Sequence, residues 1–126
     1  MISATTLGDL IKRESAPDYT RETVTLKAGT AYPLGAVLGR ITLDGKYTLS
    51  PHAAVTGSEG AEIACAVLLH PVAASDTDTQ AVVLARGPVI VADRALAFDA
   101  SVADATAQSI KHQQLAAYGI VVRAVA

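Results

Sequence analysis

Short runs of alternating polar and apolar residues dominate the chain from residue 21 onward. In residues 22–27, Val24 and Leu26 alternate with polar positions, which predicts a strand that buries one face. The pair Asp44 and Gly45 separates two such runs, so we predict a β-hairpin with a type I′ turn, in which both central residues need positive φ. Turn residues also separate the other predicted strands: residues 36–43, 46–49, 61–69, 80–86, 89–91 and 120–123.

The period becomes helical near the C-terminus. Between residues 101 and 115, Ala103, Ala107 and Ile110 share one side of a predicted helix, and Ser101 followed by Asp104 is a capping pattern that makes Ser101 the N-cap. About seven short strands and one helix predict a mainly β fold with one helix (α+β). We expect a small β-barrel or β-clip-like domain with an extended N-terminal arm.

The first twenty residues differ from the rest, because they are polar and lack a clear period. We predict an N-terminal arm over residues 1–20 and a single domain over residues 21–126. The short amphipathic piece formed by Leu7, Leu10 and Ile11 is too short to be a stable helix by itself. It therefore frays, docks on a partner or covers a sheet edge within its own chain.

Composition and charge narrow the classes of function. The 126 residues suit one domain, and 51% of them are hydrophobic, although the chain has no Trp and a single Phe. The formal net charge is −2, and no block of Lys and Arg is present to collect phosphates, so we expect no direct nucleic-acid partner. No signal-peptide pattern is present, and no apolar run approaches the ~18 residues of a membrane span. We expect a protein made and kept in a cytoplasm, or in something assembled there, with no membrane partner.

The candidates for chemistry are weak. Cys65 is the single cysteine and lies in an apolar run, where we interpret it as a small buried hydrophobe. Asp76 and Asp78 resemble the start of a calcium loop but lack its glycine and its distal Glu. The three histidines lie near no nucleophile motif: His52, His70 and His112. We predict no enzyme, no catalytic or metal site and no cofactor.

Several segments resemble, in order and spacing, the lambda-type head decoration proteins of tailed bacteriophages. The segments are LIKRE (10–14), YTRETVTL (19–26), GAVLGR (35–40), ACAVLL (64–69), VLARG (83–87) and LAAYGIVVR (115–123). Each segment alone has low specificity, whereas their common order spans nearly the whole chain. Within that family, this chain resembles the branch that has an extended N-terminal segment with Lys-Arg-Glu.

The resemblance implies a capsid decoration, or cement, protein. A protein of this kind forms a homotrimer that sits at three-fold and quasi-three-fold positions of the expanded phage head. The homotrimer contacts the major capsid protein and stabilises the shell against internal DNA pressure. The resemblance also implies a location on the outer surface of the capsid in the virion, after assembly in the host cytoplasm. It further implies that the N-terminal arm helps to clamp the capsid subunits.

We hypothesise that the N-terminal arm binds the capsid by strand addition. The candidate arm residues are Thr5, Leu7, Leu10, Ile11 and Arg13. On this hypothesis, deleting residues 1–14 abolishes capsid binding and leaves the trimer folded.

Two other classes of function stay open. A carbohydrate- or host-receptor-binding β module of a phage fibre or tail needs aromatic platforms for sugar stacking. The available aromatic residues are Tyr19, Tyr32, Tyr47, Phe98 and Tyr118. An enzyme of unfamiliar type is the third class, for which the scattered histidines and lone cysteine are poor candidates.

Overall fold

The computed structural model describes residues 10–14 and 17–124, which form a closed five-stranded barrel and a separate three-stranded sheet. The strands are β1 (Ile11–Glu14), β2 (Arg21–Leu26), β3 (Val37–Arg40), β4 (Tyr47–Leu49), β5 (Ala64–Leu68), β6 (Thr79–Leu84), β7 (Val89–Ala92) and β8 (Ile120–Arg123). The helices are the single turn α1 (Pro17–Thr20), a 3-10 turn (Asp93–Ala95) and the long helix α2 (Ala105–Ala116). The predicted mainly β fold with one long helix and a small barrel is confirmed.

The barrel has the strand order β2-β4-β3-β5-β6. Its longest pairing is antiparallel, between β2 and β6, and runs from Arg21 opposite Leu84 to Leu26 opposite Thr79. The predicted alternation in β2 is confirmed, because Val24 and Leu26 are buried. A single parallel bridge between Leu26 and Tyr47 joins β2 to β4 and closes the barrel.

The hairpin around residues 44 and 45 is confirmed, but the predicted type I′ turn is wrong. The last strand pair is Arg40 with Tyr47, so the connection spans residues 41–46. Gly45 has a φ of 75°, whereas no non-glycine residue in the described ranges has a positive φ. The turn is wide because Ile41 points into the core, at 1% exposure, and because the Asp44 carboxylate accepts the backbone N–H of Lys46 at 3.0 Å.

The second sheet has the order β1-β7-β8, with β1 antiparallel and β8 parallel to β7. Residues 11–14 therefore cover an edge of a sheet in their own chain, which is one of the three alternatives that the sequence left open. Leu10 is fully buried in the core that this sheet shares with α2 and with one side of the barrel, together with Val91, Leu115 and Ile120. A second core fills the barrel around Tyr32.

The N-cap of α2 is Asp104, so the prediction that Ser101 caps the helix is wrong. The Asp104 carboxylate accepts the backbone N–H of Ala107 at 2.8 Å. Ser101 instead accepts a hydrogen bond from the backbone N–H of His52 and donates one to the Asp99 carboxylate. Both Ser and Asp are good N-caps, and the sequence pattern alone does not decide between them.

The buried face of α2 also differs from the prediction. Ala107, Lys111 and Leu115 face the protein interior, whereas Ile110 is 39% exposed. The row Ala107, Lys111 and Leu115 follows the i, i+4, i+8 spacing of one helix face. The lysine hides this row from a hydrophobicity pattern. Among the described helices, none is long and apolar enough to cross a membrane.

Gly39 lets the backbone of β3 approach the segment that precedes β5. The register of β3 against β5 shifts between Leu38 and Gly39, so Gly39 lies at a β-bulge or similar irregularity. A Cβ at position 39 would lie 2.0 Å from the carbonyl oxygen of Ala61. Only glycine therefore permits this approach of backbone to backbone.

Candidate interaction surface

A groove with a volume of about 350 Å³ opens on the outside of the barrel. The outward-facing residues of β2, β3, β4 and β5 form its floor, and the segments beside residues 60–63 and 118 form its rim. The groove is lined by Glu22, Arg40, Thr42, Tyr47, Gly60, Ile63, Cys65, Ala85, Arg86 and Tyr118.

Strand alternation places Cys65 in the groove. In β5, Ala64 and Ala66 are fully buried, whereas Cys65 between them is only partly buried. Cys65 is therefore less buried than the sequence predicts, although it packs against the barrel core. The continuous apolar run around it concealed the alternation of β5.

Arg86 is held in place by several contacts at one end of the groove. Its Nη2 lies 2.6 Å from Oε2 of Glu22, and its Nη1 donates to the backbone carbonyl of Tyr19. The guanidinium carbon lies 5.3 Å from the centroid of the Tyr19 ring, which is a cation–π distance. The guanidinium of Arg86 is thus used within the chain.

Arg40 differs from Arg86. It is exposed, and its guanidinium lies beside Gly45 in the 41–46 connection. Within residues 10–14 and 17–124, no carboxylate lies within ion-pair distance of Arg40. The groove therefore presents one positive charge that has no acidic partner in the described part of the chain.

The groove offers little for catalysis. Burial raises the pKa of the Cys65 thiol, and this outweighs the backbone hydrogen bond and the positive charge of Arg40, which both lower it. Burial also raises the pKa of Tyr47, and the negative charge of Glu22 raises it further. At neutral pH both groups are protonated and are poor nucleophiles.

The histidines have other surroundings. The Nε2 atom of His70 accepts the backbone N–H of Val82 at 3.0 Å, and the ring of His112 packs 6.0 Å from that of Phe98. None of the three histidines lines the groove. In the described ranges, no three residues of the types His, Cys, Asp and Glu are grouped to hold a metal ion.

Lys111 forms a second polar centre, inside the protein. Its Nζ donates to Ser50 Oγ at 2.9 Å, to the Pro51 carbonyl at 2.7 Å and to the Glu62 carbonyl at 2.6 Å. Ser50 in turn donates to the Ala61 carbonyl at 2.7 Å. Burial lowers the pKa of Lys111, against the opposing charges of Glu62 and Asp99. The sequence pattern missed this centre because a lone lysine on a helix indicates an exposed position.

The predicted arm residues divide into three groups. Thr5 and Leu7 lie outside the described residues. Leu10 is in the core, and Ile11 packs against that core from β1. Arg13 pairs through its backbone with Ile90 of β7. The capsid-binding role of these five residues stays a prediction.

The N-terminal strand is also tied to the barrel by charge. The Glu14 carboxylate accepts two hydrogen bonds from Arg21, at 2.8 and 3.1 Å, and another from Thr20. The Glu14 side chain is only 6% exposed. These contacts hold its pKa below the usual range, although burial opposes them. Residues 10–14 are thus an integrated part of the fold.

A family model described as Bacteriophage lambda head decoration protein D matches residues 1–120 of this chain. The match includes the N-terminal segment, the barrel, strands β1 and β7 of the second sheet, α2 and every residue that lines the groove, and it ends at the first residue of β8. No curated protein matches the chain at a significant level. The resemblance inferred from the sequence is confirmed.

Proposed function

The chain belongs to the bacteriophage lambda head decoration protein D family, and on this premise we propose that it binds the expanded phage head as a homotrimer at three-fold positions and stabilises the shell against the pressure of packaged DNA. A role as a structural decoration protein of the phage capsid follows from the family itself. The observation that carries the proposal is the match over residues 1–120, because it includes both the N-terminal segment and nearly all of the folded domain.

We place the protein on the outer surface of the capsid, against several copies of the major capsid protein. The net charge of −2 supports an outer location without direct contact to the packaged nucleic acid. The family is one of structural proteins and not of enzymes, and the protonated Cys65 and Tyr47 of the groove agree with an inert role.

The stabilising mechanism is mass action combined with avidity. A ligand that binds only the expanded lattice stabilises that lattice by about 2.7 kcal/mol at 100 times its dissociation constant. A cyclic trimer presents three copies of one surface around one axis. After one copy binds, the other two bind at an effective concentration of about millimolar, so weak individual contacts suffice.

We assign the capsid contact of the arm to the residues that precede β1, with Thr5 and Leu7 as candidates for strand addition and apolar contact. Leu10 and Ile11 then anchor the arm, since their side chains pack in and against the core of the domain. Arg13 contributes to the capsid contact from β1, which is an edge strand of the three-stranded sheet.

This division of roles changes the design of the deletion. Removing residues 1–14 would remove the fully buried Leu10 and the Glu14 contacts to Arg21, so it would also damage the fold. Removing residues 1–9 keeps Leu10 and all of β1 in the chain. We expect the 1–9 deletion to keep its helix and strand content by circular dichroism and to lose most of its capsid binding.

The test mixes the purified protein with empty expanded capsids and with unexpanded procapsids, followed by sedimentation. We expect saturable binding to expanded capsids alone and a higher melting temperature of the decorated shell. Absence of binding to both particles would contradict the proposal. Full binding by the 1–9 deletion would contradict the arm assignment alone.

The carbohydrate-binding alternative has one specific observation in its favour. Tyr32 is used in the barrel core and Phe98 packs against the other core, but Tyr47 and Tyr118 line one groove and could stack on a sugar ring. A glycan array with the wild-type protein tests this alternative. Specific glycan binding that Tyr118→Ala abolishes, without capsid binding, would favour it.

A further inference from the structure

Exposed large hydrophobic residues gather around the groove. Seven such residues are exposed in the described part of the chain: Tyr19, Leu43, Val55, Ile63, Ile110, Tyr118 and Val121. Four of these belong to the surroundings of the groove. Ile63 and Tyr118 line it, Tyr19 stacks on Arg86, and Leu43 follows the lining residue Thr42.

The groove has the composition of a protein-binding hot spot. Tyr and Arg are enriched where alanine substitution costs most of the binding energy, and apolar residues at such sites exclude water. Ile63 is 47% exposed and Tyr118 is 46% exposed, so both carry apolar area that association would bury. Arg40 adds a positive charge, which an acidic group of the partner would complement.

The 41–46 connection carries an apolar residue and an acidic residue that complement the groove. Leu43 is 91% exposed, the highest value among the exposed hydrophobic residues described. Asp44 is adjacent, and its Oδ2 is only loosely engaged, 4.0 Å from Nζ of Lys46. An apolar side chain next to a carboxylate complements an apolar groove next to an arginine.

We propose that the 41–46 connection of one copy docks in the groove of the next copy. Leu43 then packs against Ile63 and Tyr118, and Asp44 pairs with Arg40 of the neighbouring copy. The connection and the groove are adjoining surfaces of the same chain, with Thr42 common to both, and repetition of a head-to-tail contact around an axis closes a ring. The inference rests on the proposed trimer, which sets the number of copies at three.

The first test compares two substitutions of nearly equal exposure. Ile63→Asp places a carboxylate in the groove. Val55→Asp places one at a residue that is 49% exposed and lies away from the groove. We expect the wild type and Val55→Asp to sediment as trimers. We expect Ile63→Asp to sediment as a folded monomer, with its dissociation constant raised by more than about tenfold.

The second test is a charge exchange. Arg40→Asp and Asp44→Arg should each weaken the trimer, because each places like charges in contact across the interface. The double variant restores an opposite pair and should recover the trimer. Failure of the double variant to associate better than either single variant would overturn the pairing.

Cys65 reports on the groove directly. Its alkylation by a maleimide should be slower in the wild-type trimer than in the Ile63→Asp monomer. Equal rates would show that the groove stays open in the trimer and would overturn the inference.

The results separate the two proposals. A wild-type trimer that Ile63→Asp leaves intact overturns the docking inference and leaves the decoration function standing. If the wild type is monomeric in solution, chemical cross-linking on expanded capsids replaces sedimentation as the measurement of the trimer. We then expect cross-linked trimers from the wild type and from Val55→Asp, but not from Ile63→Asp. Wild-type protein that neither trimerises nor binds expanded capsids overturns the proposed function itself.

Discussion

Lys111 and Arg40 are both cationic, but their surroundings differ completely. Lys111 is 1% exposed, and three oxygens accept from its ammonium group within 2.9 Å. Arg40 lies in an open groove beside Gly45, with no carboxylate partner in the described ranges. Lys111 binds the segment that follows β4, whereas Arg40 is the last residue of β3, the strand that pairs with β4.

The difference distinguishes a charge that serves the fold from a charge available to a partner. A buried ammonium is tolerated only when its donors find acceptors, because an unpaired charge in a low-dielectric interior costs several kcal/mol. An exposed guanidinium keeps its hydration and needs no such partner. Arg21 and Arg86 lie between these extremes. Substitutions at Lys111, Arg86 and Arg40, and at Glu14, the partner of Arg21, should therefore form a graded series in stability.

Lys111→Met should give the largest effect. Methionine fills a similar volume but leaves the Pro51 and Glu62 carbonyls without their donor, which predicts a loss of about 3 kcal/mol in the free energy of unfolding. Urea denaturation measures this loss. Lys27→Met is the matched control, because Lys27 is exposed, and it should change stability by less than about 1 kcal/mol. Equal effects of the two substitutions would remove the distinction between the sites.

Glu14→Gln should give the second-largest effect, because it removes a buried carboxylate that binds Arg21 through two hydrogen bonds. Hydrogen bonds to charged groups predict a loss of about 2 kcal/mol at neutral pH. The folded-state pKa of Glu14 is lowered from 4.5, so its contribution is present above that pH and is lost as the pH falls through the folded value. The stability difference between wild type and Glu14→Gln should therefore shrink below pH 4.5; a constant difference would contradict the ion pair.

Arg86→Met should have a smaller effect. The Arg86 and Glu22 side chains are 36% and 49% exposed, and ion pairs of this exposure contribute about 0–1 kcal/mol. Raising the salt concentration should reduce the difference from wild type further, because ions screen exposed charges. A loss above about 2 kcal/mol in urea denaturation would place Arg86 with the structural cations instead.

Arg40→Met should have the smallest effect on stability, within about 0.5 kcal/mol of wild type, because the fold supplies no partner to lose. Its effect should be seen in association, measured by sedimentation of the same samples. A clear loss of stability without any change in association would reverse the comparison between Arg40 and Lys111.

The sequence predicted the elements that depend on local periods and turn residues. Val24 and Leu26 alternate with polar residues, so this two-residue alternation alone predicts the buried face of β2. The hairpin was located because Asp44 and Gly45 separate two β runs. Its turn type was wrong because the burial of Ile41, a long-range contact, widens the connection beyond two residues.

Capping and the buried face of α2 show where local patterns fail. Ser101 and Asp104 are both acceptable N-caps, and their different partners decided which one caps the helix. Lys111 is polar in every hydrophobicity scale, yet three acceptors from the 50–62 segment make its burial favourable. No pattern within the helix contains those acceptors.

The sequence by itself determined the mainly β class, the approximate positions of β2 to β8 and the family, because these follow from side-chain periodicity and from the order of short segments. Tertiary structure alone decided the parallel bridge from Leu26 to Tyr47 that closes the barrel, the inclusion of Leu10 in the core and the assembly of the groove. The groove draws on residues as far apart in sequence as Glu22 and Tyr118. Such features arise from contacts between distant segments, and the energies of those contacts depend on packing and burial that no local stretch of sequence contains.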